Sequence, residues 1–274
     1  LKSLREIQRE INRSIEHLST GLRITSASDD PSGVVIAHKF MAQIGGTRVA
    51  MQNAEEAVSL VQTAFSVLEE TSELLLRMRD LALRAMNDAT LTTSDYTNLN
   101  DEFDALRTEI TRKANATTFN SRYLLTGAYA SGQMAQVGPA NIAAHILTIV
   151  IRSGQASAFA NGDLANVLLI SDAANSAPGH AGSALSVVDD SLDELASIQA
   201  SLGIQERRLN SVVDDLQSME TNMVAARSRI TDADMASEIS HFAKLQILSE
   251  ATVATLAQAN DLPERVVSLL EKMV

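Results

Sequence analysis

The chain has no cysteine and no tryptophan. Without thiols there is no disulfide scaffold, no thiolate metal site and no cysteine nucleophile. That absence leaves the compartment open, because an exported protein can also lack cysteine. Aromatic residues are only 3% of the total. Such scarcity suits helix faces built from Ala, Leu, Ile, Val and Met better than sheets packed through rings. Basic residues are outnumbered 22 to 34, giving a net charge of −12. This balance argues against nucleic-acid and anionic-membrane partners. No apolar run reaches about 18 residues, so no transmembrane helix is expected. Residues 1–10 are charged and lack the hydrophobic segment of a cleaved secretory signal. The chain opens on Leu1, and a helical pattern begins at once, as if partway through an element.

What is present is enough apolar residue, 45% of 274, to bury a core. Glycine and charge divide the sequence in three. Gly127 to Gly182 holds 7 of the 12 glycines, and its only charges are Arg152, Asp163 and Asp172. On either side the chain is charged, poor in glycine and periodic. Leu4, Ile7, Ile11, Ile15, Leu18 and Leu22 form one helical stripe. Gly21 is its expected stop, and Asp29, Asp30 and Pro31 read as a new start. Ala54, Val58, Val61, Phe65, Leu68, Ser72 and Leu75 alternate by 4 and 3, like a coiled-coil seam. The expected helix runs from about Gly33 to Met86, with a bend or break at Gly45-Gly46. Ser94 or Asp95 is the expected cap of a shorter helix bearing Leu99, Phe103, Leu106 and Ile110.

In the middle segment, Ile146–Ile151 and Val167–Ile170 read as strands, with turn residues Gly154 and Asn161-Gly162-Asp163 between them. Ala156–Gly162 is expected to tolerate replacement. A second long helix carries Leu185, Val188, Leu192, Leu195, Leu202, Leu209, Val213 and Leu216. Gly203 should weaken it locally. Thr231–Asp234 reads as a break and a fresh cap, and Pro263 as the start of a last short helix. The expected fold is mainly α: a rod of long antiparallel helices, in coiled-coil or bundle packing, with a small β-hairpin insert.

Catalytic chemistry has no foothold. The five histidines (His17, His38, His145, His180 and His241) lack metal-ligand spacing. No zincin, phosphate-loop, dinucleotide or nucleophile-elbow motif occurs. Paired carboxylates such as Asp29-Asp30 and Glu69-Glu70 sit at caps or on helix faces. The sequons Asn12-Arg13-Ser14 and Asn115-Ala116-Thr117 read as chance matches. The expectation is a protein that is not an enzyme and has no cofactor or metal.

Several motifs, in order, resemble the bacterial flagellins. They include His17-Leu18-Ser19-Thr20-Gly21-Leu22-Arg23-Ile24 with Ser26–Asp30, then Arg77-Met78-Arg79-Asp80-Leu81-Ala82, then Thr118-Phe119-Asn120. In the second arm they are Ser228–Ala236, Gln246-Ile247-Leu248, Leu256–Asn260 and Val267-Ser268-Leu269-Leu270. The likeness covers about Leu1–Leu125 and Ala184–Val274. The middle is too short for the large outer domains of many flagellins, and the chain begins inside the family's first helix.

The resemblance implies a filament subunit for motility, exported to the cell exterior without a cleaved signal peptide. It implies a terminal coiled-coil domain of residues 1–28 plus 232–274. A rod domain then comprises 29–126 plus 183–231, with 127–182 as its β-rich insert. It implies self-association through a terminal stripe with Ile11, Leu18, Leu22, Phe242 and Leu256. Other implied partners are an export chaperone, the filament cap and the junction proteins. A rod patch of Arg77, Leu81 and Glu102 is implied to pack against neighbours and to meet a vertebrate Toll-like receptor. Arg77 and Leu81, four apart, should share one face. Leu76 and Leu106 depart from receptor-activating flagellins. The alternatives are a hook–filament junction protein, whose ends are similar, and a surface adhesin or polysaccharide-binding homologue.

Overall fold

The computed structural model describes residues 2–87, 89–167 and 178–271. Five α-helices carry it: α1 (Lys2–Thr20), α2 (Pro31–Ala85), α3 (Thr93–Ala116), α4 (Pro178–Thr231) and α5 (Met235–Glu271). Between α3 and α4 in the chain lie two antiparallel ribbons. One pairs β1 (Thr118–Phe119) with β2 (Arg122–Tyr123), the other β3 (Gln133–Gln136) with β4 (Ile146–Ile149). This is the mainly helical class expected. Contacts divide the chain into two compact units, Leu1–Gly45 with Met219–Val274, and Gly46–Ser218.

Local chemistry sets the helix ends. α1 stops where Gly21 turns left-handed (φ +71°) and returns its N–H to the His17 carbonyl at 2.8 Å. α2 opens on Pro31, and the Asp30 carboxylate accepts the Ser32 N–H at 3.0 Å. The cap of α3 is Thr92, not Ser94 or Asp95. Asp95 is instead the third helical residue and closes a capping box back onto Thr92. Asp234 starts α5 by accepting the N–H groups of Ala236 and Ser237. α5 continues through Pro263, where the sequence predicted a separate helix.

In the Gly46–Ser218 unit, the buried seam of α2 is Ala54, Ala57, Val61, Ala64, Leu68, Thr71, Leu75, Met78, Ala82 and Ala85. Of the expected seam, Ala54, Val61, Leu68 and Leu75 are buried, while Val58, Phe65 and Ser72 lie one position off and are half-buried. The α4 seam is displaced likewise, to Ala184 and Ser191 from Leu185 and Leu192. Small side chains at the centre let helix backbones approach closely, and larger neighbours wrap the edges. The buried Thr71 and Ser191 hydroxyls donate to their own helices, at Val67 and Val187, so neither is left unpaired.

α2 does not break at Gly45-Gly46. A Cβ on Gly46 would stand 3.0 Å from the Pro139 Cβ, whereas Gly45 and Gly203 have nothing within 4 Å. Gly46 is therefore a packing glycine. Replacing Gly203 with Ala should raise stability by up to ~1 kcal/mol through helix propensity. Gly46→Ala gains the same propensity but should come out destabilised by its collision with Pro139. Thermal unfolding of the two variants should move in opposite directions.

The run at Ile146 does form a strand, but its partner is β3, with Gln133 opposite Ile149 and Gln136 opposite Ile146. Val167 lies in no strand, and 168–170 fall outside the described residues. The Asn161-Gly162 turn lies in a kinked 3₁₀ segment, Ala156–Ala165, with positive φ from Ala160 to Gly162. Ile151, Phe159 and Leu164 are fully buried in the same core as the α2, α3 and α4 seams. Polar side chains fasten the insert. Gln205 on α4 accepts the Val150 N–H at 2.8 Å and donates to the Val150 carbonyl at 2.9 Å. Asn53 on α2 donates to the Gln136 carbonyl at 3.1 Å. Glu194 on α4 accepts from Arg152 and from the Ala160 N–H.

Candidate assembly surfaces

In the unit built from the chain ends, α1 packs on α5. The α1 face turned inward carries Leu4, Ile7, Ile11, Ser14 and Leu18, spaced by 3 and 4. The α5 face carries Glu238, Phe242, Leu245, Ser249, Thr252 and Leu256. Of the expected stripe, Ile11 is buried, and Leu18, Leu22, Phe242 and Leu256 are half-buried. Ile15, expected on that stripe, is instead 48% exposed.

α5 carries more apolar surface than α1 covers. Ile239, Ile247, Leu248 and Val253 are all exposed, Ile247 by 67%. At 100° per residue these side chains lie on the flanks and the back of the helix, away from the Leu245 seam. A helix apolar on nearly every side is a buried helix. One of its sides is buried within the chain.

Where α1 gives way to α2, and α4 to α5, the two breaks are stitched together. Leu22 pairs with Asp232 in a single antiparallel bridge. The Arg23 N–H donates to the Thr231 carbonyl at 2.7 Å, and the Ala233 N–H to the Gly21 carbonyl at 2.9 Å. Arg23 adds a guanidinium bond to the Ile230 carbonyl at 2.8 Å. Asp29 gathers the Thr25 hydroxyl, the Ser26 and Thr25 N–H groups and the Arg13 guanidinium. The Thr25 hydroxyl first, then those N–H groups, hold its carboxyl well below the usual carboxylate range. The Ser228 and Thr231 hydroxyls lower Asp232 likewise.

A carboxylate lowered in the fold stabilises it above the unfolded pKa, about 3.9 for Asp, and that contribution disappears as pH falls through the folded value. The thermal midpoint should therefore drop as pH falls below about 4. Asp29→Asn with Asp232→Asn should flatten that acid slope while leaving its shape above pH ~5 unchanged. An unchanged slope would show that these carboxylates do not set acid stability.

The rod patch is only partly as expected. Arg77 and Glu102 are exposed and joined across α2 and α3, Nε to Oε1 at 2.8 Å and Nη2 to Oε1 at 2.6 Å. Leu81 does not join them at the surface. It is 2% exposed, in the core with Met78, Ala82 and Ala85. α2 meets α3 through Arg77–Glu102 and Lys113–Glu70, and α4 through Arg79–Asp189 and Gln62–Glu206. Covered from two sides, its buried arc widens beyond a two-helix seam and takes in Leu81. The exposed apolar neighbour of Arg77 is Leu76.

A cavity of about 460 Å³ between α3 and the insert contains Arg107 and Arg112. Arg107 is held by Asp104 and the Ala165 carbonyl, and Arg112 by both oxygens of Glu109. Neither guanidinium is free for a ligand anion. Among the described residues no group of three or more His, Cys, Asp or Glu is placed to hold a metal. Among them, too, no helix is long and apolar enough to cross a membrane.

The profile of the bacterial flagellin N-terminal helical region matches residues 1–130, and that of the C-terminal helical region matches 185–270. Flagellin of Bacillus subtilis is 36% identical over 94% of this chain and 92% of its own length. Flagellin of Halalkalibacterium halodurans is 39% identical over 94% and 91%. The chain belongs to the bacterial flagellin family. It is a structural subunit of the flagellar filament, and the junction-protein and adhesin alternatives are not favoured. The crystal structure of Bacillus cereus flagellin matches with a TM-score of 0.50 and 27% identity, over 64% of this chain and 94% of that one. A putative flagellar hook-associated protein from Vibrio parahaemolyticus shares the fold, at a TM-score of 0.64 and 16% identity, over 74% of this chain and 100% of that one.

Proposed function

We propose that this flagellin polymerises chiefly through the outward sides of α5, with α1 as the intramolecular partner that holds α5 in place. The observation that carries this reading is the exposed set Ile239, Ile247, Leu248 and Val253 on a helix already packed along its other side. A contact between copies that does not close on itself builds an open helical filament. Residues 1–28 plus 232–274 then act as the terminal assembly domain, 29–126 plus 183–231 as the rod, and 127–182 as its insert. Arg77 and Glu102 form an exposed polar rod contact for a neighbouring copy, braced from beneath by Leu81. The same pair is the surface a vertebrate Toll-like receptor would meet on the free subunit outside the cell. An export chaperone, the filament cap and the junction proteins would engage the terminal helices.

The chain has no native thiol, so single cysteines report burial cleanly. Ile247→Cys should react rapidly with a maleimide in the monomer and become protected in the filament. Ser157→Cys, at an exposed position of the insert, should react in both. An Ile247→Cys thiol equally reactive in filament and monomer would remove α5 from the interface.

A further inference from the structure

Ser249 and Thr252 are half-buried on the α5 side of the seam with α1, but a carboxylate enters that seam at one level, opposite Ser14. Ser14, buried at 2% exposure, occupies a position on the α1 stripe between Ile11 and Leu18. Its hydroxyl donates to Glu238 Oε1 at 2.5 Å. The other oxygen, Glu238 Oε2, stands 3.6 Å from His17 Nδ1, and both side chains are more than four-fifths buried. Glu10, Arg13 and His241 complete a polar cavity of about 230 Å³ around this layer. Arg13 is already engaged by Asp29.

We infer that Ser14, His17 and Glu238 form a register lock that fixes where α1 sits along α5. Repeating apolar stripes do not by themselves choose one alignment. Once the short Leu22–Asp232 bridge at the end of the seam opens, a slide by one turn sets Ile11 or Leu18 against much the same surroundings. In this seam such a slide places a carboxylate against an isoleucine or leucine side chain and strips Ser14 of its acceptor. A buried charge without a donor is costly, and a single buried polar layer is an attested way to fix register. Neighbouring copies read α5 at fixed heights, so the lock would transmit one alignment to every subunit. The lock itself does not rest on the polymer contact proposed above, because it lies within one chain.

Spin labels on Arg5→Cys and Ser240→Cys, both exposed, report the alignment by pulsed electron resonance. Labelled full-length chain is diluted into unlabelled chain so that only intramolecular pairs are read. The parent should give one narrow distance. Ser14→Leu with Glu238→Leu should add a second component displaced by about 5 Å, one helical turn. Glu238→Gln, which keeps an acceptor for Ser14, should retain the parent distance alone. If circular dichroism shows the Leu pair unfolded, Ser14→Ala with Glu238→Ala takes its place with the same expectation. A parent distribution already broad, or an apolar variant as narrow and unshifted as the parent, overturns the lock.

Discussion

Ile247→Asp combined with Val253→Asp should give a chain that folds and does not polymerise. Both side chains are more than half exposed in the free subunit. Exposed substitutions away from special features usually move stability by no more than about 0.5 kcal/mol. In a filament that covers the remaining half to two-thirds of each side chain, each contributes roughly 1–2 kcal/mol of apolar burial. Losing two such contributions, at 1.4 kcal/mol per tenfold, raises the critical concentration at least about 25-fold. Burying two carboxylates without partners adds to that loss. Sedimentation should show no pelletable polymer at concentrations where the parent assembles, with helix content unchanged. Polymer at the parental concentration would exclude this face of α5 as a contact. Leu18 and Leu256 are poorer positions for the same test, because they face the seam and their loss loosens the unit itself.

Phe159→Ala should be among the most damaging single changes in the Gly46–Ser218 unit. The ring is fully buried, although its residue lies in an irregular segment with extended backbone (φ −82°, ψ 146°). Truncating a buried phenylalanine costs about 3–5 kcal/mol in transfer and cavity terms. A Gly/Ser replacement of Ala156–Gly162 removes the same ring, so the tolerance expected of that loop should not hold. Urea unfolding followed by helix signal gives the value directly. A loss below about 1 kcal/mol would mean that the core closes over the gap without the ring.

The helical plan was readable because the 3–4 spacing and the punctuation at Gly21, Asp30-Pro31 and Thr231–Asp234 act locally. What was misread needed a partner to become visible. An alternating 4–3 spacing put Val58 and Phe65 in the α2 seam, whereas close packing chose Ala57 and Ala64. Leu81 left the surface because α2 has two neighbours, which the spacing along one helix does not reveal. Gly46 looked like a hinge until Pro139 was found against it. Gln133-Met134-Ala135-Gln136 has no β-branched residue, so β3 gave no strand signal. Thr92 was missed as a cap although Asp95 stands where a capping-box partner belongs. The family motifs marked Arg77 and the α5 run at Gln246-Ile247-Leu248, but exposure decided which of those residues another molecule can touch.

The amides of Asn53 and Gln205 have a consequence for how the protein can go wrong. A two-stranded ribbon has open edges, and open edges recruit strands from other chains. Here a helix side chain occupies the carbonyl of Gln136, the last residue of β3, and another occupies both backbone groups of Val150, just past the end of β4. Those groups are closed to an incoming strand before it arrives. A subunit made to accumulate and join its own copies is exposed to cross-strand stacking whenever it is concentrated. The amides borrowed from α2 and α4 remove three of the backbone groups such a strand would use, at the ends of β3 and β4.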